Sequence, residues 1–525
     1  MPVSTAAAST LLRGRNSVVK PELNRQVALA GDPLPSGSGP LTSDSAITVC
    51  RTASALSRSL HGEVGVSAGL AALPIPLLQF RREFQQSLHT TTFSVSVVVQ
   101  ARRIVESLEV VQPSLLPGVV LPGDTQQLDQ FVALYGDSWI SGVQLGAEVQ
   151  GVYTLYAQSR QEADALAQRL DAIVPLSGVA ITPAFAQQLR TLTSDLTQNI
   201  SARVQVKGVP QPSLSSPEEL LDLVSRFGSL PIAQPELLAV VTRGYEELPQ
   251  LLPLLQPVVA NRRLFCGNPA TPSLPGLQHR KAQLEELSNQ CRWVADTCRI
   301  YGQTPDPSLQ TNRHLIKDDI AAIEALAAAY DRSASTPLQP PALTALRCGS
   351  PRLTPTVRPG LALGGQGGEP FAFRDRDQAI QRRRRLRRVG LRSGRLIDQI
   401  RLTYSQEADG LIAATKPQEW TEVHGGTGGD DRGNLELGDG TLITSINANT
   451  GTGVDELEFI SSGGERLQGG RPSNGGRASS WTVGPQQVLL GFQGRAETWL
   501  DALQPLIADF SDALHWEEVD ENDLS

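Results

Sequence analysis

The sequence predicts an α+β chain in parts: a sheet-and-helix half, a helical connector, and an all-β C-terminal third built as a three-sheet prism. Three observations carry that expectation. Residues 93–101 and 143–155 alternate apolar and polar side chains as long strands do, and helical stripes follow the second stretch. Residues 279–302 and 311–331 read as two helices bounded by Pro-rich segments. The last third is Gly-rich and repeats one glycine-and-aspartate pattern. At 525 residues the chain exceeds what one core usually fills, so several domains are expected.

In chain order, residues 1–45 are rich in Pro, Ser and Gly and read as a flexible arm. Residues 46–265 hold the strand patterns and amphipathic helices, and residues 266–355 the Pro-rich connector with its two helices. Residues 356–511 form the all-β part. Residues 512–525 end in Glu517, Glu518, Asp520, Glu521 and Asp523, an acidic tail read as solvated. The opening stretch lacks acids, a faint transit-peptide feature, but it has no apolar block for a secretory signal. No run of about 18 apolar residues exists to make a transmembrane helix. With 40% hydrophobic and 19% charged residues and a net charge of −8, the expectation is a soluble protein, secreted or released without a recognisable signal.

The five cysteines form no close ligand pattern and read mostly as reduced thiols, and the six histidines are scattered. Neither a metal, nor a cofactor, nor a catalytic constellation is expected, so the chain does not read as an enzyme.

Three related blocks organise the C-terminal third. The first runs from the glycine cluster at 364–368 to Ile397-Asp398. The second runs from the cluster at 425–429 to Val454-Asp455, and the third from the irregular glycines at 463–476 to Leu500-Asp501. Glycine permits positive φ and bare backbone next to a ligand. Alternation on either side gives strands with one buried face, and three such units must pack face to face to bury them.

These residues resemble the jacalin-related lectins, whose fold is a β-prism with GGxGG loops and a GxxxD sugar loop. The resemblance implies that glycine-loop amides and the loop aspartate grip sugar hydroxyls, a carboxylate accepting two hydroxyl hydrogens in fixed geometry. By position, Gly364 and Gly365 are expected to face Asp501, Gly425 and Gly426 to face Asp398, and the irregular third loop to face Asp455. Gly394 to Asp398 and Gly451 to Asp455 keep GxxxD. The third loop departs, with Glu497 in place of glycine, and there Trp499 is a candidate to stack on a sugar ring. The alternative is that these glycines and aspartates only shape β-turns.

Basic charge is nearly all arginine, and Arg382 to Arg385, Arg387 and Arg388 crowd the first repeat. Two readings stand: a solvated face, or a basic patch for anionic lipid or acidic glycans. Nucleic acid is not expected as a partner, because aromatic residues are not interleaved for stacking.

In the N-terminal half, Tyr135-Gly136-Asp137-Ser138-Trp139-Ile140 stands just before the second long strand, followed by Gly146. This resembles the signature of the membrane-attack-complex/perforin family, with Asp137-Ser138 and Ala147 as departures. The resemblance implies a bent antiparallel sheet with two helical clusters that unfurl into membrane hairpins within an oligomeric ring. Tested as strands, residues 56–90 alternate acceptably, with Leu56, Leu60, Val64 and Leu70 on one face and Arg58 and Arg82 as blemishes. An ordinary sheet hairpin fits that stretch equally. Residues 158–198 fail the test, since Leu166, Leu170 and Ile173 form a helical stripe. That cluster reads as a packed helical element.

Two functional expectations result. The first is a membrane-targeting, perforin-like protein docked on glycans or glycolipids by its lectin part, possessing a ring homo-oligomer as its pore-forming state. The second is a non-lytic lectin or adhesion protein that uses the perforin-like fold as a scaffold.

Overall fold

The computed structural model describes residues 9–19, 24–35, 43–51, 56, 59, 70–72, 94–156, 160–173, 187–188, 191, 200–210, 217–232, 234–267, 276–373, 379–380, 383–406, 418–438, 440–473 and 475–517. These residues fall in two compact units, one of Met1–Glu286 and Ile316–Leu346, the other of Leu287–Leu315 and Arg347–Val519. The two predicted helices are Leu277–Ile300 and Pro307–Arg332. No described helix is long and apolar enough to cross a membrane.

The first unit is built on a large antiparallel sheet. Ser43–Cys50 pairs with Ser94–Glu109, which pairs with the 19-residue strand Ser138–Tyr156. The free edge of that strand is shared. Ile200–Lys207 takes its far half and Glu236–Gly244 its near half. Register slips between Ile104 and Glu106, opposite Gly146 and Leu145. A Cβ on Gly146 would lie 2.0 Å from the Arg103 carbonyl oxygen, so only glycine permits the two strands to meet there.

Alternation such as that of 93–101 and 143–155 marks a half-buried strand, with its polar residues in water. Both faces are covered instead. Val95, Val97, Val99, Val149 and Leu155 pack with Leu166 and Leu170 of the helix Arg160–Ile173, the described part of the predicted helical element. The opposite face buries Ser96, Gln100, Arg102, Glu148, Gln150 and Thr154 beside Val98 and Val152. Gln100 Nε2 donates to the Ser59 carbonyl oxygen at 3.0 Å, and Arg102 forms a loose ion pair with Glu148 at 3.9 Å, beyond hydrogen-bond length. The candidate hairpin 56–90 lies almost wholly outside the described residues. Within it, Leu70–Ala72 pairs with the strand Glu236–Gly244.

The Tyr135–Trp139 motif is a structural hub. Gly136 ends the helix Thr125–Tyr135 at φ 85°, and a Cβ there would meet the Arg15 carbonyl oxygen at 2.2 Å. Asp137 is 1% exposed. Its carboxylate accepts from the Ser17 amide at 3.1 Å, the Ser17 hydroxyl at 2.7 Å and the Tyr330 hydroxyl at 2.8 Å. Arg262 donates to its main-chain oxygen at 3.0 Å and pairs with Glu246. Burial and the Asp137 carboxylate push the Tyr330 hydroxyl far above its ordinary value, so it remains a donor. Trp139 is buried in the sheet.

Two terminal expectations need correction. Residues 9–19 and 24–35 are not a free arm: Arg13–Arg15 pairs with both Asn24–Val27 and the long central strand, and Leu11, Ala28 and Leu29 are buried. Composition registered the Pro and Ser but not these apolar contacts. At the other end Leu514–Glu517 pairs with Ser350–Leu353, and Arg352 bonds Glu517 at 2.7 Å. The tail therefore begins inside the fold, and 518–525 lie outside the described residues.

The second unit contains three four- or five-stranded antiparallel sheets. Each is centred on one hairpin: Arg384–Ser393 with Ile397–Gln406, Ile443–Thr450 with Val454–Ser461, and Gln487–Ala496 with Leu500–Asp509. All three hairpins slip register at equivalent places, including just before the loop at Arg392/Ser393, Asn449/Thr450 and Arg495/Ala496. Interior positions bury Leu402, Phe459 and Phe492 completely. The sequence blocks are not the sheets. The last hairpin takes its outer strands, including Leu363–Gly364 and Glu369–Ala372, from the beginning of the domain.

Candidate functional site

The loop of each central hairpin carries an aspartate, and each meets one glycine loop. Gly364, Gly425 and Gly470 hold φ of 107°, 102° and 79°, with a virtual Cβ 2.2, 2.2 and 1.9 Å from the main-chain oxygens of Asp501, Asp398 and Asp455. The following amides, of Gly365, Gly426 and Arg471, donate to those same oxygens at 2.8, 2.9 and 3.1 Å. The three expected pairings therefore hold, through the aspartate main chain rather than its carboxylate. Gly365 also packs on Thr452 and Gly426 on Thr498, each against the next aspartate loop, while Arg471 bonds the Arg395 carbonyl oxygen. The three loop pairs thus touch in a ring at one end of the sheets.

What covers each carboxylate differs. Asp398 receives the Gly394 amide on Oδ2 at 2.6 Å, and its Oδ1 takes no hydrogen bond from a described residue. Over it lies bare backbone, for a Cβ on Gly428 would be 2.6 Å from Oδ1 and one on Gly429 2.4 Å from Oδ2. Asp501 has the same bare pair above it, Gly367 and Gly368, but the indole N–H of Trp499 occupies its Oδ1 at 3.1 Å. Trp499, 43% exposed, is thus tied to the aspartate, and Glu497 beside it is exposed. At Asp455, 4% exposed, the Ser473 hydroxyl bonds Oδ2 at 2.6 Å and fills the space that glycine leaves open elsewhere. The Gly451 amide bonds the Gly453 carbonyl oxygen at 3.0 Å, as the Glu497 amide bonds that of Trp499 at 3.1 Å, whereas the Gly394 amide goes to the Asp398 carboxylate.

Sequence reasoning missed the groups that hold the upper glycines. Arg392 donates to the carbonyls of Gly428 and Gly429 at 3.1 and 2.9 Å. Arg495 does the same for Gly367 and Gly368 at 2.8 and 2.6 Å. Both stand six residues before their aspartate, a repeat visible in the sequence; the hairpin of Asp455 has Asn449 there, accepting the Ser473 amide at 3.3 Å. A guanidinium presents its donors as a fork, which suits two successive carbonyls.

The arginine run is not a free basic face. Arg383 and Arg385 are each 4% exposed. Arg383 donates to Thr297 and the Trp293 carbonyl, and Arg385 to the carbonyls of Gly438 and Thr441. Arg384 lies 4.8 Å over the Trp420 ring, its pKa lowered to about 10 by burial. Arg387 bonds Ser405, and Arg388 pairs with Glu436. The expected anionic-lipid surface at Arg382–Arg388 is therefore withdrawn for the described arginines; Arg382 lies outside the described residues. Charge counting saw the residues but not their partners.

The family model of the jacalin-like lectin domain matches residues 361–505. Those residues are a jacalin-like lectin domain. Among solved structures the domain is similar to Malaysian banana lectin, 20% identical, covering 29% of this chain and 99% of that one at a TM-score of 0.23. It is also similar to a mannose-binding jacalin-related lectin from Ananas comosus, at 20% identity, 29% and 99% coverage and a TM-score of 0.23. Artocarpin complexed with methyl α-mannose is 17% identical, with 30% and 98% coverage and the same TM-score of 0.23. No curated protein matches the chain.

Proposed function

We infer that the protein binds carbohydrate through its lectin domain and that Asp398 is the working site. The observation that carries this is the comparison among its three loops: only the Asp398 carboxylate combines an unoccupied Oδ1 with a bare Gly428-Gly429 backbone. A sugar diol there donates two hydroxyl hydrogens to the carboxylate. Asp501 needs the Trp499 indole to swing away first, and Asp455 is already capped by Ser473.

A glycan array followed by titration calorimetry tests the assignment, with methyl α-mannoside as first probe because artocarpin holds it. Asp398→Ala is expected to weaken binding roughly 100-fold, the value of two charge-assisted hydrogen bonds, and Asp455→Ala to leave it unchanged. Trp499→Phe is expected to raise the stoichiometry from one site to two. Full binding by Asp398→Ala would remove that aspartate from the mechanism.

The finer reading is a perforin-like first unit that acts at a membrane surface to which the lectin domain delivers it, assembling there as a ring. Two features support it. Strands Ser43–Cys50, Ser94–Glu109, Ser138–Tyr156 and then Ile200–Lys207 with Glu236–Gly244 lie in sequence order, so the long connections fall between the first two and the last two. The face behind Leu56 and Ser59 is polar enough, through Gln100, Arg102, Glu148 and Gln150, to be wetted when its cover lifts. The full chain is expected to release dye from vesicles bearing a glycan that the array identifies, and not from bare vesicles. Tight vesicle binding with no release at any concentration leaves the scaffold reading, a non-lytic lectin.

A further inference from the structure

The ring of loops breaks its threefold pattern at one junction. The third residue before each aspartate is Thr498, Thr452 or Arg395. Gly426 packs on Thr498, with a virtual Cβ 2.4 Å from its carbonyl oxygen, and Gly365 on Thr452 at 2.0 Å. At the remaining junction both partners are arginine, the Arg471 amide donating to the Arg395 carbonyl oxygen at 3.3 Å. Because that amide also bonds Asp455 as the Gly365 and Gly426 amides bond Asp501 and Asp398, Arg471 stands in the place of a glycine. Both arginine side chains are exposed, and neither forms an ion pair with a described residue.

Like charges on touching backbones repel, and closing the ring does not require them, since threonine and glycine close the other two junctions. Their surroundings do not neutralise them. Arg392 and Arg432 direct their guanidinium groups to the carbonyls of Gly428, Gly429 and Ser393, which are uncharged acceptors. Of the acids on the strand that pairs with Arg384–Ser393, exposed Asp430 stands opposite Ser393, Asp431 is held by Arg401 at 2.7 Å and Glu436 is held by Arg388, while Asp398 is the site carboxylate itself.

We propose that Arg395 and Arg471 are the specificity-determining residues of the Asp398 site and select saccharides bearing a carboxylate or sulfate group. This rests on sugar binding at Asp398. An exposed guanidinium fork takes either anion in bidentate fashion, whereas neutral hydroxyls go to the aspartate. Since Asp398 repels an anion, the charged group belongs on a sugar unit next to the one that Asp398 holds.

The test is calorimetry of the full chain with two matched pairs: a neutral oligosaccharide and its sulfated form, and a neutral oligosaccharide and its uronate counterpart. Wild type is expected to favour at least one anionic member about tenfold at low salt, with the advantage shrinking as salt rises. Which pair shows the preference tells sulfate from carboxylate. The double variant Arg395→Thr/Arg471→Gly restores the pattern of the other junctions. It is expected to lose both the preference and the salt dependence while keeping neutral-sugar affinity within about threefold, which also shows that it folds. Neutral sugars bound with no anionic preference in wild type, or a preference that survives in the double variant, overturns the proposal and leaves the Asp398 site standing. If no saccharide of either kind binds, the sugar-binding reading falls and this proposal with it.

Discussion

Replacing Asp137 by alanine is expected to destabilise the first unit by about 3–5 kcal/mol, the range for breaking a buried charged network. The carboxylate is 1% exposed and receives three donors, the Ser17 amide and hydroxyl and the Tyr330 hydroxyl. Removing it leaves those donors without their acceptor, at about 1–3 kcal/mol for each that stays dry. It also unfastens two distant parts of the chain from the Tyr135–Trp139 turn. Tyr330→Phe, which deletes one donor and leaves the carboxylate bonded to Ser17, is expected to cost about 1 kcal/mol. Denaturant unfolding of the full chain measures both. A loss under about 1 kcal/mol for Asp137→Ala would show that water takes over the carboxylate's role.

That network marks how far the sequence was legible. The Tyr135–Trp139 stretch stood out because of its spacing to a long alternating strand, and the strand is there. Its chemistry was not visible, because Ser17, Arg262 and Tyr330 lie far from it in sequence and no local pattern links them. Residues 9–19 and 24–35 depart from the expected arm for the same reason: Leu11, Ala28 and Leu29 are isolated apolar residues among loop formers, and only tertiary contact shows that they are buried. Ser96 and Gln100 fall on the face that alternation assigns to water, because a period of two cannot report what packs on the polar side.

The prism was more legible, since alternation and glycine pairs are local signals repeated three times. The pairing of each glycine loop with its aspartate followed from order alone. The inequality of the three carboxylates did not follow. Trp499 and Ser473 reach their aspartates by side-chain geometry, and Ser473 belongs to the irregular glycine loop, where no motif singles it out. The arginine clamps are not legible although Arg392 and Arg495 share an offset, because the carbonyls they hold lie 36 and 37 residues away for Arg392 and 128 and 127 for Arg495.

The glycine loops contain two kinds of glycine, and substitution separates them. Gly425→Ala is expected to lower the Tm by roughly 6–12 °C, corresponding to about 3 kcal/mol or more in a domain of this size. Its φ of 102° disfavours any L side chain, at about 1–2 kcal/mol. The new methyl would also lie 2.2 Å from the Asp398 carbonyl oxygen, and overpacking adds about 1–3 kcal/mol. Gly428→Ala is different. Gly428 is exposed with no positive φ, and its virtual Cβ meets the Asp398 carboxylate oxygen at 2.6 Å rather than the main chain. The methyl then does at Asp398 what Ser473 does at Asp455. Saccharide affinity is expected to fall about tenfold or more, while the Tm stays within about 3 °C. Equal Tm values for the two variants would mean that the Gly425 contact carries no structural weight; undiminished binding by Gly428→Ala would mean that the bare backbone above Asp398 is not where the sugar lies. The glycine repeat that first marks this domain in the sequence therefore serves two ends: its first pair lets neighbouring loops touch through their main chains, and its second leaves one carboxylate open.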